Sequence, residues 1–207
     1  MKEVKGVFLP DDDTYFSFVL EKEGDWEQEK IQEAMALCGV RRHAVDVGAH
    51  VGLYTRRMVG VFERVTAFEP NYDNFQCLKK NAPRAEAFNV ALSDGAGLGK
   101  MMLDEKEKGN SGSWYVGNEV GGNVSMAALD SFKLLNIDFL KVDVEGAEWH
   151  VFKGAMETLQ MCRPVILLEV KSNLAKRYGV EDWALQLAMS LGWRVKTQIK
   201  NDYILVS

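Results

Sequence analysis

Asp46-Val47-Gly48-Ala49-His50-Val51-Gly52 is the stretch on which the reading of this chain turns. It continues His43-Ala44-Val45, a short apolar run that reads as a buried strand. It leads into Leu53, Tyr54 and Met58, which would lie on a following helix. A strand that ends in a glycine turn and opens a helix is where open α/β sheets seat their ligands. Gly48 permits backbone angles closed to other residues and lets the chain approach a ligand, while Gly52 lets the next helix start close to the sheet.

The pattern is D-x-G-x-x-x-G, not the G-x-G-x-x-G that seats a pyrophosphate at a helix N-terminus, and the missing glycine holds back the rival reading of NAD binding. S-adenosylmethionine has no phosphate and carries a cationic amino group and a sulfonium, so an acid at the strand end suits it, and Asp46 is that acid. About 20 residues on, dinucleotide folds place a second acid for ribose hydroxyls. Glu69 stands there, in Phe68-Glu69-Pro70. Its two oxygens can accept from vicinal hydroxyls.

Outward from the loop, strand-like and helix-like runs alternate, the sign of an α/β fold with a mostly parallel sheet. The spacing predicts a strand at 15–20, then a helix capped by Asp25 that carries Ile31, Ala34, Met35 and Cys38. Strands follow at 64–68 and 85–92, with a helix between them capped by Asn71 and bearing Phe75 and Leu78. Residues 95–123, rich in Gly, Ser and Asn, are expected to form an inserted hairpin or loop. Further strands are expected at 139–144 and 164–170, with one helix over 148–159 (Val151, Phe152, Ala155 and Leu159 inward) between them. A helix with Trp183, Leu187, Ala188 and Leu191 precedes a closing hairpin around Lys200-Asn201-Asp202.

The 207 residues suit one domain, with residues 1–40 forming an N-terminal strand and helix cap. No stretch approaches the roughly 20 apolar residues of a membrane span. Residues 1–10 lack the apolar block of a signal peptide, so a cytoplasmic protein is expected. Three scattered cysteines, Cys38, Cys77 and Cys162, fit neither a disulfide framework nor a thiolate metal site. A net charge of -5 works against broad phosphate-backbone binding, so no nucleic-acid partner is expected.

These residues carry a family resemblance. Residues 46–55 (DVGAHVGLYT), Phe68-Glu69-Pro70-Asn71, residues 89–94 (NVALSD) and residues 137–148 (IDFLKVDVEGAE) together closely resemble the FkbM family of methyltransferases. The likeness runs in order from about residue 26 to the C-terminus, and the block around Asp143 is its most specific part. It implies a class I methyltransferase fold, Rossmann-like and doubly wound, with seven strands and only the last antiparallel. It implies methyl transfer to an oxygen, typically a hydroxyl of a glycan or small molecule. It extends the expected cofactor contacts to Ala49, His50, Tyr54, Thr55 and Pro70, and places Asn89 and Ser93 near the adenine. His50 is a departure, since many members carry Asn there.

An alcohol is a poor nucleophile at neutral pH, so a base near the acceptor is expected. Asp143 and Glu145, at the turn after the strand at 139–144, are the candidates, with Glu169 from the next strand lining the same pocket. Asp143 is read as the base or as the group that orients the acceptor. Glu148 is read as an acid favouring a helix N-terminus. A divalent metal shared by Asp143 and Glu169 is the less favoured alternative, because no ligand spacing compels it. His43, His50 and His150 show no paired metal spacing. Ser111, Trp114 and Tyr115 are placed to cover the acceptor.

Two rivals are weaker. A base-modifying or other N-methyltransferase lacks its Asn/Asp-Pro-Pro-aromatic turn here, and no Pro-Cys pair serves cytosine chemistry. A non-catalytic cofactor-binding domain has no physical need for acids at 46, 69 and 143 together.

Overall fold

The computed structural model describes residues 1–24, 28–103, 105–117, 122–180 and 183–207. It opens on a hairpin of β1 (Lys2–Val4) and β2 (Val7–Leu9). Next comes α1 (Tyr15–Glu23), which corrects the strand expected at 15–20. Asp13 Oδ1 accepts from the amides of Phe16 (2.8 Å) and Ser17 (3.2 Å), the kind of contact that starts a helix, and Gly24 ends it in the left-handed region. Phe16, Val19 and Leu20 then share one buried face, a helical period that the aromatic content of the segment disguises. The cap expected at Asp25 lies outside the described residues. α2 (Gln28–Ala36) buries Ile31, Ala34 and Met35, with Cys38 buried just past its end.

The chain continues through β3 (His43–Val47), α3 (Thr55–Met58), β4 (Arg64–Phe68), α4 (Tyr72–Asn81), β5 (Glu86–Phe88) and β6 (Ala91–Leu92). After these come β7 (Gly97–Met102), β8 (Tyr115–Gly117), β9 (Val124–Ala127), β10 (Ile137–Val142), α5 (Glu148–Lys153) and α6 (Met156–Cys162). The last elements are β11 (Val165–Glu169), α7 (Ser172–Ala175), α8 (Trp183–Ser190), β12 (Arg194–Ile199) and β13 (Asp202–Val206). Seven strands form one sheet in the order β12-β13-β11-β10-β3-β4-β5. β5, β4, β3, β10 and β11 run parallel, and β13 runs antiparallel to both its neighbours.

A strand covered on both faces must be apolar on both, and β3 is buried along its whole length. Val45 and Val47 pack on one side with Leu140, Val142, Phe152 and Leu168. Ala44 packs on the other with Ile31, Met35, Met58 and Phe139. No helix among the described residues is long and apolar enough to cross a membrane.

Three further expectations are corrected. The strand foreseen at 85–92 is split: β5 stays in the main sheet, while β6 pairs with β9 in a second sheet of order β6-β9-β7-β8. Asn89 sits at the break, its Nδ2 donating to the carbonyls of Glu69 (2.8 Å) and Pro70 (2.9 Å), and this turns the chain away. The single helix foreseen at 148–159 is two. A Cβ at Gly154 would lie 2.0 Å from the Ser93 carbonyl oxygen, and the Gly154 carbonyl accepts from Asp130 N (2.9 Å), so a neighbouring loop occupies that point. The helix after Gly52 is shorter than foreseen, with Leu53 and Tyr54 in the turn before it. Within 95–123, β7 pairs antiparallel with β8, and β9, just after this segment, pairs antiparallel with β7 as well.

Candidate active site

The loops at the C-terminal tips of β3, β4, β10 and β11 surround a cavity of about 370 Å³. Gly48, Ala49 and His50 form one wall, Glu69, Pro70 and Leu92 another, and Asp143, Glu145 and Glu169 a third. Phe16 of α1 and Trp114 and Tyr115 beside β8 also line it.

The loop leaves no room for a side chain at Gly48. Gly48 has φ +74°, and a Cβ there would lie 1.8 Å from the Asp143 carbonyl oxygen. The amides of Gly48 and Ala49 both donate to the Phe68 carbonyl at 3.0 Å. His50 has φ +54°, and its amide donates to Glu69 Oε2 (2.8 Å). Glu69 Oε1 accepts from the Asn71 amide (2.8 Å). Burial pushes the Glu69 carboxyl up to about 7 against the pull of these two amides. Each oxygen keeps a second acceptor position, since a carboxylate offers about four.

Asp46 was expected to face the cofactor. The structure places it behind the loop, with no exposed surface. Its Oδ2 accepts from Thr55 Oγ1 (2.6 Å), and Lys141 Nζ stands 3.3 Å from its Oδ1. Thr55, Gly52 and Asn89 also lie outside the cavity wall. Gly52, at φ +88°, lets the loop press on α4, where a Cβ would meet Leu78 Cδ1 at 2.7 Å. Tyr54, Pro70 and Ser93 line the cavity, as does His150 at 3.5 Å (Nδ1) from Asp94 Oδ2. His43 is a satisfied core residue, its ring nitrogens within 3.1 Å of Leu135 O and 2.9 Å of Thr66 Oγ1.

The acids of β10 and β11 come together. Asp143, Glu145 and Glu169 offer carboxylate oxygens all within 4.8 Å of one another. Lys171 Nζ bridges two of them, 3.0 Å from Glu145 Oε1 and 2.8 Å from Glu169 Oε2. Burial and the Asp143 charge push the Glu169 carboxyl far up. Burial also pushes Asp143 up, but Lys141 and the hydrogen bond with Glu169 outweigh it, so Asp143 stays ionised and Glu169 carries the proton between them. Glu145 is raised by burial and by Asp143, and it holds a left-handed φ of 57°. A hard divalent cation asks for about six oxygens or more. This cluster supplies three carboxylates within reach of one such cation, with waters needed for the rest of its shell, while Lys171 already supplies a positive charge to two of them.

Glu148 is buried at the start of α5, where it accepts from the amides of Val144 (3.2 Å) and Gly146 (3.0 Å) and shapes the turn that presents Glu145. Sequence reasoning missed Lys141, Lys171 and Tyr178. The signal for Lys141 was a charged residue inside an apolar strand, Phe139-Leu140-Lys141-Val142.

The sequence model of the methyltransferase FkbM domain matches residues 46–187, more than half of the chain. The chain belongs to the FkbM methyltransferase family. Over 130 residues it is 29% identical to the hexuronic acid methyltransferase AglP of Haloferax volcanii, covering 59% of this chain and 53% of AglP. The chain thus spans about half the length of the curated relative it matches. Among solved structures it is similar to methyltransferase FkbM from Methylobacillus flagellatus (TM-score 0.50, 19% identity, 80% of this chain and 43% of that one). It is also similar to a methyltransferase from Geobacter sulfurreducens (TM-score 0.52, 12% identity, 96% and 90%). A third is a TehB-like SAM-dependent methyltransferase from Corynebacterium glutamicum (TM-score 0.51, 11% identity, 90% and 89%). At these identities the structural likeness speaks to the fold, a methyltransferase-like α/β architecture around a mixed sheet. The matched residues include the glycine loop, Glu69 and the Asp143 cluster.

Proposed function

We propose that this chain is an S-adenosylmethionine-dependent O-methyltransferase of the class I architecture, acting on a hydroxyl of a glycan or small molecule. One observation carries the reading: a buried carboxyl group at the tip of β4 and an acid cluster at the tips of β10 and β11 line the same cavity, with a loop between them that leaves no room for a side chain at Gly48. The residues fit the cofactor. Glu69 has acceptor positions for ribose hydroxyls, Gly48–His50 offer backbone to the amino-acid end, and Leu92 and Ser93 would flank the adenine. When bound, S-adenosylmethionine supplies a methyl group made electrophilic by its sulfonium.

The chain's own work concerns the acceptor proton. Asp143, kept ionised by Lys141, accepts from a neighbouring hydroxyl of the acceptor and so points the reacting oxygen, whose own O–H faces Glu145. Glu145, whose proton affinity is raised by burial and by Asp143, takes the proton as the O–H bond breaks. Lys171 holds Glu145 in place. The 29% identity to a hexuronic acid methyltransferase supports a sugar acceptor.

Calorimetry with S-adenosylhomocysteine, followed by transfer of a labelled methyl group to a panel of uronic acids and neutral glycosides, tests the reading. Binding plus label in a base-stable, ether-linked product is expected. Folded protein that gives no heat with donor or product overturns it; label on nitrogen overturns the oxygen assignment.

A further inference from the structure

We propose that Lys141 is a positioning residue whose buried ammonium pins the glycine loop to the acid cluster, setting the spacing between the two halves of the site. The proposal rests on the cofactor reading above. Lys141 Nζ lies 2.5 Å from the Gly48 carbonyl oxygen and 3.3 Å from that of Val47. The same nitrogen is 3.3 Å from Asp46 Oδ1 and 3.8 Å from Asp143 Oδ2. Its side chain is 5% exposed.

The placement follows from strand geometry. Lys141 and Asp143 are two residues apart, so they project to the same face as β10 leaves the sheet. Asp46 is the register partner of Lys141 across the β3–β10 ladder. The ammonium therefore sits where three polar features meet: a loop carbonyl, a buried acid behind the loop and the acid that faces the acceptor. Tyr54, a cavity-lining ring, covers it at 5.8 Å from the ring centre.

A buried ammonium is expensive to desolvate, and methionine would fill a similar volume without that cost. What methionine cannot do is donate to Gly48 while holding a positive charge against Asp143. The loop and the acid are already in contact, because no atom fits between Gly48 and the Asp143 carbonyl. Lys141 holds that contact from below.

Two variants test this, with S-adenosylhomocysteine affinity as the readout. Lys141→Met leaves Asp46 uncompensated. The double variant Lys141→Met/Asp46→Asn removes one charge of each sign and still deletes the bonds to the loop. The double variant is expected to melt near the parent temperature yet bind S-adenosylhomocysteine about tenfold or more weakly, the range for lost charge-assisted bonds. The acid limb of its turnover profile is expected to move to higher pH, because the cation that favoured ionised Asp143 is gone. Asp143 also faces Glu169, Lys171, Glu145 and, from α2, Lys30, all unchanged in the variant. A double variant with parental affinity and an unmoved pH profile overturns the assignment. If neither variant folds, Lys141 is a folding residue and the assignment also falls. A parent protein that does not bind S-adenosylhomocysteine refutes the cofactor reading instead.

Discussion

His50 Nε2 lies 2.6 Å from Ser111 Oγ, joining the glycine loop to the segment between β7 and β8. Ser111 is held in turn by its amide on Asp13 Oδ2 (3.0 Å) and by Asn74 Nδ2 on its carbonyl (2.9 Å). The Phe16 ring packs on the imidazole at 4.6 Å. One side chain thus ties α1, the loop and the inserted hairpin together over the cavity, and it is a histidine where the family resemblance leads one to expect asparagine.

That choice has a pH consequence. Burial lowers the His50 pKa from 6.5 to about 4. The unfolded chain takes up a proton as pH falls through 6.5, and the folded protein does so only near 4. Stability is therefore complete above 6.5 and declines as pH falls toward 4, by up to about 3 kcal/mol from this group. In urea titrations at pH 7.5 and 4.5, His50→Asn is expected to lose less between the two conditions than its parent. An equal loss would assign the acid sensitivity to other groups.

Gly48→Ala tests the loop. A methyl group 1.8 Å from backbone oxygen cannot be absorbed by a rotamer change, and φ +74° is itself unfavourable for alanine. The variant is expected to lose about 2 kcal/mol or more of stability and most of its affinity for S-adenosylhomocysteine. Differential scanning fluorimetry with and without ligand reads both effects; a parental ligand-induced shift would contradict the close approach.

Asp143→Asn and Glu145→Gln address the chemistry. Each is expected to lower kcat by about 10²- to 10⁴-fold, the usual contribution of a positioned proton acceptor, with S-adenosylhomocysteine affinity changed far less. Normal turnover in both variants would remove these residues from the mechanism.

Asp46 and Glu69 should separate cleanly, although the sequence presents both as strand-end acids. Asp46→Ala leaves Lys141 partly uncompensated in the interior, so it is expected to cost about 3–5 kcal/mol of stability. Glu69→Gln keeps one acceptor oxygen but sets an NH2 group against the His50 or Asn71 amide, so it is expected to cost about 1–3 kcal/mol of stability. Its affinity for S-adenosylhomocysteine should fall about tenfold through weakened ribose contacts. Paired melting and calorimetry curves check both, and a Glu69 variant that binds normally would move the ribose elsewhere.

Much of this molecule is local information. The strand-turn-helix at 43–58, the cap at Asn71 and the C-terminal hairpin follow from apolar period, glycine placement and capping chemistry within a few residues. The acids at the strand tips were legible for the same reason, because a carboxylate at the end of an apolar run is conspicuous. What a side chain faces at such a tip is not local. Asp46 turns from the cavity because Lys141 on a strand distant in sequence meets it, while Glu69 turns inward because the His50 and Asn71 amides receive it.

The sequence by itself determined the alternating α/β pattern, the glycine loop and the set of acids from which a site could be built. Tertiary structure decided that 85–92 divide between two sheets and which acids face the cavity. The physical reason is that period and capping act over a turn or two of chain. The burial of a charge and the partner that permits it are set by strands brought together from across 207 residues.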